Sequence, residues 1–428
     1  MTTYTFKPLS QCKEKAIRKE PENIILVAMD YYLPGYKAGG PVRSLANLIA
    51  VLGEEYRFRV LTHNGDLGDS TPYAGVDGKS WKQVGKAEVF YLGPGLVGLL
   101  SFLRQMILVD RDTVLYLYSF FSRRNSMLPV LLCRLGLCRP GSIILAPRGE
   151  FSPGALGIHH FRKLLFIKLS RALVLHRNVI WHASTSLEAE DIKRVFPGLT
   201  VLSYEDHGRA AVPAASDSSA IAIAGDIGPV EAFGISRKRV KQPGQLAALV
   251  IARISPMKNL LGALRILADV EGEVQLDIYG PIEDLYYWEQ CKKVIDKLPQ
   301  NVKVRYEGEI EHSQVQGVFA EHDLLFLPTL GENYGHVICE SLMAGCPVLI
   351  SDRTPWRNLY TAGVGWDLPL DDRKRFVAVL QECMAGDEEW FLELSRRAFD
   401  YANARSSSPE LINENRKLLQ LGLHWAQQ

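Results

Sequence analysis

Cysteine is sparse and unpatterned in this chain. Its seven cysteines, Cys12, Cys133, Cys138, Cys291, Cys339, Cys346 and Cys383, are scattered and odd in number, with no C-x-x-C or Cys/His spacing. That excludes a disulfide framework and a zinc ribbon, and it predicts a reducing compartment. Long apolar runs are missing as well. No stretch approaches the roughly 18 apolar residues needed to cross a bilayer. The opening MTTYTFKPLSQCKEKAIRKEPEN has no apolar core of the kind a secretory leader carries. A cytoplasmic chain is expected, with any membrane contact peripheral and on the inner face. No solenoid period or low-complexity tract is present.

What is present is ordinary globular material. The 428 residues are 47% hydrophobic and 23% charged, enough for two cores of about 200 residues each. The net charge of +1 hides an asymmetry. Residues 1 to 210 hold 27 Lys/Arg against 18 Asp/Glu, and the remainder 22 against 30. Residues 101 to 180 are the most lopsided, with 12 basic residues against Asp110, Asp112 and Glu150. A basic field of this kind suits an anionic partner, and nucleic acid, anionic lipid or a phosphorylated acceptor would each satisfy it.

The pattern along the chain is α/β. Residues 1–22 read as a polar extension. Asn23 to Met29 is a continuously apolar segment, as expected of a parallel strand covered on both faces. A glycine-rich loop, Pro34 to Pro41, then leads into a helical pattern through Val42, Leu45, Leu48, Ile49 and Leu52. Further strands are expected at Phe58 to Thr62, Val89 to Leu92, Thr113 to Tyr118, Ser142 to Ala146 and Val179 to Ala183. Residues 205 to 245, rich in Ala, Ser, Gly and Pro, read as a connector. Strands follow at Ala247 to Ala252, Val274 to Tyr279, Val302 to Tyr306, Leu324 to Leu327 and Pro347 to Ser351. The organisation predicted is a first Rossmann-like doubly wound domain over 23–235, a second over 236–407, and a final helix over 408–428 returning to the first, with a cleft between the domains.

Two constellations carry chemistry. Leu324 to Glu340 reads as a buried strand, a Gly-Glu-Asn-Tyr-Gly loop and a helix starting near Gly335 to Val337. A helix start just beyond a parallel strand offers free N–H groups and a positive dipole end to a phosphate. Glu332 sits in the loop, and Glu340 lies about 7.5 Å along the axis from Gly335 at 1.5 Å per residue. The second constellation is Val250 to Asn259, where Arg253 and Lys258 leave the end of a strand. Two fixed cations can neutralise the charge that builds on a departing diphosphate without a metal ion.

The Leu324 to Glu340 segment resembles the E-x7-E signature of family 4 retaining glycosyltransferases, which have the GT-B fold, and Arg253 with Lys258 matches the same family's R-x4-K pair. The resemblance implies transfer of a sugar from a nucleotide-sugar, UDP-linked by family frequency with GDP-mannose the other choice. It gives Glu332 to hydroxyls of the moving sugar, Glu340 to the ribose, and Arg253 and Lys258 to the diphosphate, with Glu332, Arg253 and Lys258 as the catalytic set. Donor contacts are implied for Gly39, Gly40, Gly280, Asn333, Tyr334, Gly335, His336 and Val337. Ala146-Pro-Arg-Gly-Glu150 resembles a family block at the cleft edge and puts Arg148, Glu150 and Arg43 on the acceptor side. Many members have His where this chain has Arg148, so a proton-transfer role does not carry over. Thr354-Pro-Trp356 resembles members that build bacterial surface polysaccharides, which implies a glycan or polyprenyl-diphosphate-linked acceptor, no cofactor and no nucleic-acid partner. The family's usual Asn-Gly before the linker is replaced by Gly225-Asp226.

Asp110-Arg-Asp112 has the D-x-D spacing of a metal-nucleotide motif, but it precedes a strand among basic residues and reads as a solvated turn, so no metal is expected. His159 to Arg171 alternates apolar and basic residues at helical spacing. It would serve equally as a helix meeting anionic headgroups or as one packed on its own domain with its basic face in water. Tyr116, Tyr118, Phe120 and Phe121 read as core. Two other functions fit the same architecture: a sugar-nucleotide epimerase, which would need acid and histidine catalysts, and a silent partner subunit, which would be expected to lose Glu332 or Lys258.

Overall fold

The computed structural model describes residues 23–425 apart from 77, 158–159, 203–218, 231–233 and 407. The polar extension expected at 1–22, and residues 205–218 of the expected connector, lie outside the described residues.

The first sheet takes, in chain order, β1 Ile24–Ala28, β2 Arg57–His63, β3 Lys82–Val84, β4 Ala87–Leu92, β5 Thr113–Leu117, β6 Ser142–Leu145, β7 Val179–Ala183, β8 Thr200–Val201 and β9 Ala220–Ile223. Their spatial order is β3-β4-β2-β1-β5-β6-β7-β9-β8, and every pairing is parallel except that of β3 with β4. Between them run α1 Gly40–Leu52, α2 Gly95–Ile107, α3 Leu128–Arg134, α4 Pro153–Gly157, α5 His160–Ala172 and α6 Ser186–Val195. Because the middle of the sheet is covered on both faces, its central strands are apolar rather than alternating, and β5, β6 and β7 are buried at every position.

The second sheet is wholly parallel. It holds β10 Gln245–Ile251, β11 Glu273–Tyr279, β12 Val302–Gly308, β13 Leu324–Leu327, β14 Val348–Ser351 and β15 Gly365–Leu368, ordered β12-β11-β10-β13-β14-β15. Its helices are α7 Leu260–Leu267, α8 Leu285–Ile295, α9 His312–Ala320, α10 His336–Met343, α11 Leu359–Ala362, α12 Arg373–Ala385 and α13 Glu388–Ser406. The last helix, α14 Pro409–Trp425, leaves this domain and packs on the first sheet. There Leu418 and Leu419 are fully buried with Leu45, Leu48 and Leu52 of α1, each such side chain stabilising by roughly 1.5–3 kcal/mol. Asn415 fixes the helix by donating to the Gly225 carbonyl at 2.7 Å, and Arg416 pairs with Glu55 at 2.6 Å.

The strands expected from apolar runs are all present. The expected connector at 205–245 is corrected in part: Ala220–Ile223 is a buried strand between β7 and β8. Its alternating alanines are small enough for α14 to lie close above the sheet, and small residues are what made the segment look like a linker. The short strands β3, β8 and β15 were not anticipated either.

In each sheet the strand order reverses once beside a central strand: β1 lies between β2 and β5, and β10 between β11 and β13. Loops leaving the carboxyl ends of strands at such a reversal splay apart and open a crevice. The glycine-rich loop follows β1, the Arg253 and Lys258 loop follows β10, and the Glu332 loop follows β13. These three segments therefore leave switch points, while the Arg148 and Glu150 segment follows β6, two strands away from β1.

Candidate active site

The two crevices form one cavity of about 1260 Å³. Gly39, Gly40, Arg43, Arg148 and Glu150 line it from the first domain, and Arg253, Lys258, Gly280, the run Glu332 to Val337, and Glu340 from the second. The donor-side and acceptor-side residues that the resemblance implies are thus brought together. The volume exceeds that of a typical single-ligand pocket of about 300–1000 Å³ and leaves room for two reactants.

The loops after β10 and β13 are tied to each other. Leu330 N and Thr329 Oγ1 both donate to the Met257 carbonyl, at 2.8 and 3.0 Å, and Asn259 Nδ2 donates to Pro328 O at 2.8 Å. These bonds bring Lys258 Nζ to 2.5 Å from Glu332 Oε1, with both side chains mostly buried. Arg253 is placed differently. Its guanidinium pairs with Glu283 at 2.7 Å, so in this structure each of the two cations is held by its own carboxylate. Trp356, fully buried, braces the loop from behind by donating from Nε1 to the Tyr334 carbonyl at 2.6 Å.

Two glycines here are required by geometry. Gly335, at φ +80°, turns the chain into α10, and a Cβ there would sit 2.8 Å from Ile338 Cδ1. Gly280, at φ +132°, ends β11 so close to β10 that a Cβ would lie 2.1 Å from the Ala252 carbonyl oxygen. His336 and Val337, the first residues of α10, line the cavity, and at a helix start such amides have no acceptor within the helix, as an anion site requires.

Glu340 lies one turn inside α10 and is almost wholly buried. Burial pushes its carboxyl up to about 7, against the pull of Arg43, and His312 Nδ1 stands 3.9 Å away. Burial also drives the His312 imidazole down to about 4, with Arg43 adding to the effect. His336 heads α10 and bonds Ser44 of α1 through Nε2 at 2.8 Å. Burial holds it near 4, so it is neutral at physiological pH.

On the first-domain side Arg148 adopts φ +54° and is sunk into the wall of the cleft. Its guanidinium bonds Asp226, donates to Tyr116 Oη at 3.3 Å and stacks 4.2 Å over the Tyr118 ring. Tyr116 in turn meets His182 Nδ1 at 2.5 Å, and His182 Nε2 donates to the Ala224 carbonyl at 2.8 Å. Arg148 thus shapes the cleft as one member of a buried polar network. Glu150 is likewise committed: Ser119 Oγ and the amides of Phe120 and Phe121 donate to it, although burial still lifts its carboxyl to about 7. Its carboxylate organises the 119–121 turn.

Several residues joining the two domains carried no local signal. Lys37 of the glycine-rich loop reaches Glu309 at 2.9 Å. Glu188 accepts from Gly149 N and Ser184 N. Asn333, its amide nitrogen assigned to face Glu188 on hydrogen-bonding grounds, donates to that carboxylate at 2.8 Å. Only Asp226 had left a trace, as the departure from Asn-Gly. The Asp110-Arg-Asp112 turn lies elsewhere, with Asp110 Oδ1 accepting from Thr113 Oγ1 at 2.8 Å.

Solved structures share this architecture over nearly the whole chain. Sucrose-phosphate synthase from Thermosynechococcus elongatus is 15% identical over 96% of this chain and 99% of that one, with a TM-score of 0.62. HepE from Anabaena, solved with UDP-glucose, is 14% identical over 93% and 98%, with a TM-score of 0.60. The α,α-trehalose 6-phosphate synthase from Burkholderia multivorans is 12% identical over 95% and 97%, also at 0.60. No curated protein matches the sequence. Two Rossmann-like domains arranged in this way are the GT-B fold, and residues 233–403, which carry Arg253, Lys258, Glu332 and Glu340, match the family model for glycosyl transferases group 1.

Proposed function

We propose that this protein is a retaining glycosyltransferase that moves a sugar from a nucleotide-sugar, with a UDP-sugar favoured over GDP-mannose, to a glycan or lipid-linked glycan in bacterial polysaccharide biosynthesis. The observation that carries the reading is the Lys258–Glu332 pair at the mouth of α10, at a switch point and inside a cavity large enough for donor and acceptor. HepE, a structural neighbour, was solved with UDP-glucose, which supports the choice of base.

In the proposed reaction the donor diphosphate lies at the α10 amides with Lys258 and Arg253, and Glu340 accepts from the ribose hydroxyls. Glu332 holds hydroxyls of the sugar. The bond from the anomeric carbon to the phosphate oxygen breaks, and one to the acceptor oxygen forms on the same face. The acceptor proton passes to the departing phosphate oxygen. Lys258 and Arg253 stabilise charge that grows only as that oxygen leaves, which is where fixed cations are most effective. No metal enters this scheme, and closing the cleft would keep water from the donor.

The test is incubation with UDP-, GDP- and ADP-sugars, with and without polyprenyl-diphosphate-linked acceptors. Acceptor-dependent release of nucleotide with retained anomeric configuration is the expected result. Formation of an epimeric donor, or binding of none of the donors, would overturn the reading.

A further inference from the structure

We infer that the first domain holds a second ligand site, for a small anion carried on a flat apolar body, at the end of its sheet remote from the catalytic cavity. A pocket of about 430 Å³ lies where α2 approaches the hairpin of β3 and β4, and it shares no lining residue with the larger cavity. Ile24 and Thr113, the first residues of β1 and β5, are in its wall. The catalytic loops leave the opposite, carboxyl ends of the strands. A volume of this size suits one small ligand.

The pocket sets charge where the strand pattern calls for an apolar group. Side chains alternate along β2, so Arg57 and Arg59 share the face on which Leu61 is buried with Phe102 and Met106 of α2. One carboxylate serves both arginines. Glu88 of β4 pairs with Arg57 Nη2 at 3.0 Å, while Arg59 Nε stands 3.2 Å from the same carboxylate without forming a hydrogen bond. The Arg59 guanidinium lies 4.0 Å over the Trp81 ring, and Trp81 meets Phe90 edge-on at 5.5 Å. Burial pulls this guanidinium below its ordinary pKa, a penalty that a further negative charge beside it would offset. Among the described residues of the lining, Arg59, Lys79 and Arg104 are charged and none is Asp or Glu.

The remaining wall selects the body of the ligand. Leu26, Phe90, Leu108 and Val109 make it apolar, and Ser101 and Gln105 of α2 add hydrogen-bonding groups. An inorganic anion would leave the apolar wall uncovered, and an apolar molecule would bring no counter-charge to Arg59. A flat ring stacked at the Arg59–Trp81 pair, with an anionic group facing the guanidiniums, satisfies both. Aryl phosphates and nucleoside monophosphates have this construction.

The experiment is calorimetric titration of the full chain with 1-naphthyl phosphate, and separately with its two halves, 1-naphthol and inorganic phosphate. Binding of the aryl phosphate at one site, tighter than either half and undisturbed by saturating UDP, is expected. Arg59→Gln and Arg104→Gln should each weaken it roughly tenfold, through loss of one charge-assisted hydrogen bond. Arg104 is exposed on α2, so its replacement probes the site without disturbing the core. The probe has no sugar to transfer, so its failure to bind and a failure of the proposed reaction are distinguishable. No binding, displacement by UDP, equal binding of 1-naphthol, or parental affinity in both arginine variants would overturn the inference.

Discussion

Lys258 and Glu332 lie in loops 74 residues apart in sequence, yet their side chains meet at 2.5 Å because Thr329 and Leu330 of the second loop both bond the Met257 carbonyl of the first. The pair acts as a unit. Lys258→Ala and Glu332→Ala should each lower transfer by about 10²–10³-fold, and the double variant should be little worse than either single one. Thermal melting of the variants checks that the fold persists. Near-parental turnover in both singles would remove these residues from the mechanism.

Arg148 and Asp226 form an ion pair with only 5% of either side chain exposed. Asp226→Asn leaves a buried guanidinium without its counter-charge and should cost about 3–5 kcal/mol in denaturant unfolding. Arg148→Met combined with Asp226→Leu should recover much of that loss, because the pair's own desolvation is removed with it. Equal instability of the single and double variants would refute the coupling.

Glu340 gives the pH prediction. Its folded carboxyl titrates near 7 because of burial, against 4.5 as the ordinary value. Between those values the native state holds a proton that the unfolded chain has released. This stabilising contribution is complete below the ordinary value and is lost as pH rises through about 7. Glu340→Gln, which cannot ionise, should therefore melt higher than the parent above neutrality. Under the proposed reaction donor binding runs the other way, since there the carboxylate accepts ribose hydroxyls. KM for the donor should fall as pH rises through 7 in the parent, and stay high and flat in the variant.

Trp356→Phe keeps most of the buried ring but deletes the 2.6 Å bond to the Tyr334 carbonyl. A loss of about 1 kcal/mol is expected from the unmade hydrogen bond. The 332–335 loop should loosen, raising KM for the donor more than it lowers kcat. A kcat effect with unchanged KM would assign Trp356 another role.

Much of this was legible in the chain because it is written locally. Apolar runs mark buried parallel strands, and the strand, loop and helix around Gly335 carry their own turn chemistry. Arg253 and Lys258 lie within one loop. What escaped is relational: Ser44 with His336, Glu188 with Asn333 and Arg148 with Asp226 are partners at separations no periodicity reports. β9 escaped for a different reason. Its Ala-Ile-Ala-Ile is strand material by burial but linker material by composition, and the helix that covers it lies nearly 200 residues later. Arg253 could be found but not aimed, because its partner Glu283 follows another strand.

Because α14 packs on the first sheet, the chain crosses between the two lobes once before β10 and again between α13 and α14. Two tethers allow less than one. The lobes can turn about the line joining the crossings, but sliding and free swivelling are suppressed. Nor are they separable modules, since a chain cut before residue 409 would leave the groove between α1 and β6 bare. Exchanging the first lobe for another would have to carry α14 with it.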